Sequence, residues 1–81
     1  MAVELKLQAL SDEMEYGTIA RWLKTEGDPV TSGEIVVEVE AEKVTTELEA
    51  PVTGVLERIV AVEGDEIRVG ATIAVFAENG S

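Results

Sequence analysis

A single lysine, Lys43, stands at the centre of a stretch in which apolar and charged residues alternate, between Glu42 and Val44. A primary amine offers two kinds of chemistry. As a free base it attacks carbonyls or forms Schiff bases, which requires a pKa depressed by burial or by a cationic neighbour. As a passive acceptor it is amidated by an enzyme that supplies an activated acyl group and removes the proton in its own pocket. The neighbours of Lys43 in the alternating stretch are Glu40, Glu42 and Glu47, and all three favour the ammonium form. With an ordinary value of ~10.4, such a lysine holds little free amine at neutral pH. Amide acceptance is therefore the chemistry that suits it. The plain alternative is a solvated turn lysine. Against that stand its rarity, as one of three lysines, and its place in the turn joining two repeats described below.

The rest of the chain offers little that could catalyse. Its 81 residues contain no cysteine and no histidine, so thiol nucleophiles, zinc-thiolate sites and the commonest general base are excluded. Ser11-Asp12 has no histidine partner with which to build a nucleophile, and the glutamates form no Asp-x-Asp-x-Asp-Gly calcium loop. Seventeen acidic residues against six basic ones give a net charge of −11. Nucleic-acid backbones and anionic membranes repel such a surface, whereas basic protein surfaces attract it. No apolar run approaches the roughly 18 residues of a membrane helix, and the N-terminus lacks the basic and apolar regions of a signal peptide. The expectation is a monomeric cytoplasmic domain, or a mitochondrial matrix one if a transit peptide has been removed.

The elements that must position Lys43 follow from two patterns. Val37, Val39 and Ala41 alternate with Glu38, Glu40 and Glu42; after Lys43, Val44, Thr46, Leu48 and Ala50 alternate with Thr45, Glu47 and Glu49. Two strands joined by a two-residue Glu42-Lys43 turn keep both apolar rows together, pairing Ala41 with Val44, Val39 with Thr46 and Val37 with Leu48. Two-residue hairpins favour Asn-Gly or Asp-Gly, and this register also sets Glu38 opposite Glu47. A hairpin selected for stability alone avoids both choices, which points to a functional reason.

The second pattern is an internal repeat. An offset of 37 aligns Gly17-Thr-Ile-Ala-Arg21 with Gly54-Val-Leu-Glu-Arg58, Glu26-Gly-Asp28 with Glu63-Gly-Asp65, and Gly33 with Gly70. Each repeat reads as a strand, two turns and a strand, with residues 8–16 as the main irregular loop. Two copies suggest packing about a pseudo-two-fold axis, and short strands at this spacing indicate a sandwich or barrel. The same offset relates Lys43 to Gly80 and to Lys6, so the hairpin tip in one half corresponds to the chain ends in the other. Trp22 reads as a core or rim packing residue, and Ile73 and Phe76 as core. Residues 1–78 form one domain, and Asn79-Gly80-Ser81 reads as the start of a linker.

The segment Glu38-Val-Glu-Ala-Glu-Lys43-Val-Thr-Thr-Glu-Leu-Glu-Ala-Pro51 resembles the lipoyl-attachment stretch of 2-oxo acid dehydrogenase acyltransferase components, with Ala50-Pro51 in the family's places after the lysine. Leu10-Ser-Asp-Glu-Met14, Gly17-Thr-Ile19 and Trp22-Leu-Lys24 resemble its opening segments, so the likeness covers nearly the whole chain. Glu42 and Val44 stand where the family often has Asp and Ala, and Leu7-Gln8 replaces a common Met-Pro. Related biotin carriers have methionines flanking the lysine.

The resemblance implies an all-β flattened barrel of two four-stranded antiparallel sheets, with lipoic acid in amide linkage to Lys43 and no catalysis by the chain itself. It implies as partners a lipoate ligase or lipoyl transferase, a thiamin-dependent 2-oxo acid decarboxylase, a catalytic acyltransferase domain and dihydrolipoamide dehydrogenase. Glu40, Glu42, Val44 and Thr45 are then candidates for partner recognition. Ser11, Asp12 and Glu13 form a second set, because in the family the first loop lies near the lysyl turn. A biotin carrier and an unmodified interaction module remain the alternatives.

Overall fold

The computed structural model describes residues 2–9, 13–41 and 44–78. They form eight strands: β1 (Ala2–Lys6), β2 (Tyr16–Trp22), β3 (Pro29–Val30), β4 (Ile35–Ala41), β5 (Val44–Glu49), β6 (Gly54–Ile59), β7 (Glu66–Arg68) and β8 (Thr72–Glu78). Two antiparallel four-stranded sheets, ordered β1-β8-β6-β3 and β5-β4-β2-β7, face each other. Shifting each strand into its repeat partner converts one order into the other, so the pseudo-two-fold expected from the sequence is the symmetry of the fold. The body is elongated, 38 × 20 × 18 Å.

Inward residues of both sheets make one core. Phe76, Leu7, Ile19, Leu56, Ile73, Val36, Val37 and Val39 are its largest fully buried side chains, each worth roughly 1.5–3 kcal/mol on burial. Val36 and Val37 are adjacent yet both buried, because the β4–β5 register shifts between Ile35 and Val37. Trp22 packs on the core from the rim, and its indole N–H donates to the Ala61 carbonyl at 2.8 Å.

The Glu-Gly-Asp turns do more than reverse the chain. Gly27 and Gly64 adopt φ of 94° and 91°, where a Cβ is strained. Asp28 and Asp65 each accept from a backbone N–H three residues earlier, at Thr25 and Val62. Each turn then caps a bulged strand of the other half. The Ile19 N–H donates to the Asp65 carbonyl and the Gly64 N–H to the Ile19 carbonyl; the Leu56 N–H donates to the Asp28 carbonyl and the Gly27 N–H to the Leu56 carbonyl.

Two expectations need correction. Pro29 does not merely halt a strand: it opens β3, at a sheet edge where a residue without an N–H is tolerated. And Lys6 does not correspond to Lys43. The partner of Lys6 is Thr72, and the residue 37 positions before Thr72, Ile35, pairs with Glu49. β1 and β5 are thus related by 43 positions, because Lys6 precedes Gly17 by 11 positions whereas Glu49 precedes the equivalent Gly54 by 5. Tip and chain ends still correspond, since Ala41 maps onto Glu78.

Candidate functional site

The register expected for the hairpin is the one observed: Ala41 pairs with Val44, Val39 with Thr46, Val37 with Leu48 and Glu38 with Glu47. Two residues therefore connect β4 to β5. They are Glu42 and Lys43, and both lie outside the described residues, as do Ser11 and Asp12. Along the hairpin, burial ends at Ala41, 6 % exposed, while Val44 on the facing strand is 58 % exposed. The apolar row thus runs out of partners at the end of the molecule where the two strands are joined.

Around that end the outer sheet face carries Thr45, Glu40, Thr18 and Glu66 as one cross-strand row. Glu40, Val44 and Thr45 are exposed. Glu13 is exposed in the turn before β2, whose first residues run beside the last residues of β4 through the Thr18–Glu40 pair. Glu13 and the adjoining ends of β4 and β5 therefore lie at one pole.

Two residues absent from the sequence-based set also lie there. Tyr16 pairs with Arg68 across β2 and β7, the guanidinium carbon 5.9 Å from the ring centroid. The available signal was a break in the repeat, since the offset relates Tyr16 to Thr53 and Arg68 to Thr31.

Among the described residues no polar or charged side chain is buried, and no group of three or more metal-ligating side chains converges. The carboxylates with resolved shifts lie in turns. Asp28 is held below the usual aspartate value chiefly by the Thr25 backbone N–H and then its hydroxyl. Glu34 is lowered first by Lys24, 2.9 Å away, and then by the Thr31 N–H. Both shifts serve turn geometry, and neither prepares a catalytic group. No helix is long and apolar enough to cross a membrane.

Comparison with known proteins agrees with that geometry. The biotin–lipoyl family model, described as biotin-requiring enzyme, matches residues 3–76. The chain is 46 % identical over 81 residues to the dihydrolipoyllysine-residue acetyltransferase component of the pyruvate dehydrogenase complex of Zymomonas mobilis, covering 99 % of this chain and 18 % of that protein. It is 45 % identical over 75 residues to the succinyltransferase component of the 2-oxoglutarate dehydrogenase complex of Staphylococcus saprophyticus, covering 93 % and 18 %. The chain thus spans about a fifth of the length of these relatives. Among solved structures, the lipoyl domain of the Azotobacter vinelandii 2-oxoglutarate dehydrogenase complex superposes with a TM-score of 0.81 at 32 % identity, covering 96 % of this chain and 99 % of that one. Part of a single-chain long-chain acyl-CoA carboxylase shares the fold, with a TM-score of 0.82 at 24 % identity, over 99 % of this chain and 7 % of that one. The chain belongs to the family of biotinyl and lipoyl attachment domains.

Proposed function

We propose that the chain is a lipoyl carrier domain, with Lys43 as the attachment residue, working within a 2-oxo acid dehydrogenase complex. The observation that carries this reading is the hairpin register, in which Ala41 pairs with an exposed Val44 and a two-residue link contains the lysine. The flanking residues fit an amide-linked arm: the apolar row ends at Ala41, and the neighbouring outer face is acidic and solvated. A bound lipoyl group would supply the disulfide and thiol chemistry that a chain without cysteine lacks.

The domain's own part is positional. Paired strands hold the attachment turn at one pole, and tethering within a complex raises the arm's effective concentration at each active site. The partners in this reading are a lipoate ligase, a thiamin-dependent decarboxylase, an acyltransferase domain and dihydrolipoamide dehydrogenase. In this reading the chain itself is non-catalytic, has a longer acyltransferase as its parent, and works in the cytoplasm, or in the mitochondrial matrix if a transit peptide has been removed. Glu42 and Val44 in place of flanking methionines favour lipoate over biotin.

The test is intact mass after incubation with lipoate, ATP and a lipoate ligase, beside Lys43→Gln. One lipoyl increment in the wild type, absent from the variant, supports the proposal. An unchanged wild-type mass, with the ligase active on a known acceptor, removes it. Avidin capture after incubation with a biotin ligase would shift the reading to a biotin carrier.

A further inference from the structure

We draw no further inference here: the strongest candidate, the groove between the edge strands β1 and β5 lined by Leu5, Lys6, Ala9, Thr46, Leu48 and Pro51, carries nothing because nothing among the described residues shows what covers it.

Discussion

The Glu63 carboxylate accepts a hydrogen bond from the Trp22 backbone N–H at 3.0 Å, and 37 positions away in each strand the Glu26 carboxylate accepts from the Ile59 N–H at 2.8 Å. Each glutamate thus reaches from a turn of one half to a bulged strand of the other, supplying an acceptor to an N–H on the strand edge where β2 and β6 run past their short partners β7 and β3. The two halves lock each other through the same residues that close their turns. Glu63→Ala and Glu26→Ala should each lower stability by about 0.5–1.5 kcal/mol, while Glu63→Gln, which keeps a carbonyl acceptor, should cost less. Urea unfolding of the four proteins checks this. Equal losses in Ala and Gln variants would mean that charge, not the acceptor, is what matters.

Gly17 shows a second constraint, one of space and not of dihedral angle. A Cβ there would stand 2.9 Å from Val39 Cγ1, 3.2 Å from Leu7 Cδ2 and 3.3 Å from Met14 Cε. These neighbours are buried and close-packed, so Gly17→Ala should destabilise by about 1–3 kcal/mol. Because the same strand start leads to the hairpin pole, the variant should also lipoylate more slowly near its melting temperature. Calorimetry and the mass assay measure the two effects, and a melting temperature equal to wild type would refute the packing argument.

Asp28 and Glu34 give the fold a defined acid response. Both have folded-state pKa values below the ordinary 3.8 and 4.5, so each favours the native state only while ionised. Their contribution is complete above those ordinary values and is lost as pH falls through the lower folded ones. The denaturant midpoint should therefore be flat from pH 7 to about 5 and decline below about 4.5. Asp28→Asn and Glu34→Gln should each shallow that decline. A midpoint that rises on acidification would reverse the assigned sign.

The facing pair Glu38–Glu47 is a local cost within the β4–β5 hairpin. Glu47→Lys turns repulsion into attraction and also meets a row that begins with Arg21 opposite Glu38. Stability should rise by a few tenths of a kcal/mol, up to about 1. If the acidic face attracts basic partners, the same variant should be a poorer decarboxylase substrate at low salt. Thermal melts and acylation at two ionic strengths separate the effects.

Much of this protein was legible in the linear pattern because its structural signals are local and duplicated. Period-two alternation fixes which side of a strand faces the core, so the hairpin register followed from Val37, Val39, Thr46 and Leu48 before any fold was known. The offset of 37 located the turns, and the symmetry of the sheets followed from it. Lys43 and its acidic neighbours stood out by residue type and family resemblance; of the candidate set, Glu40, Val44, Thr45 and Glu13 are described and exposed.

What only the tertiary structure decided depends on residues far apart in the chain. The displacement of β1 against β5 by 43 positions comes from an insertion whose length carries no periodicity of its own. β3 and β7, of two and three residues, exist as strands only because β6 and β2 offer them edges. Glu26 and Glu63 look like turn residues in sequence, and their bonds to strands 33 and 41 residues away appear only when the halves dock. Tyr16 and Arg68, 52 positions apart, carry no common pattern until β2 and β7 pair. Local alternation is encoded residue by residue, whereas contacts between halves arise only from closure of the sheets.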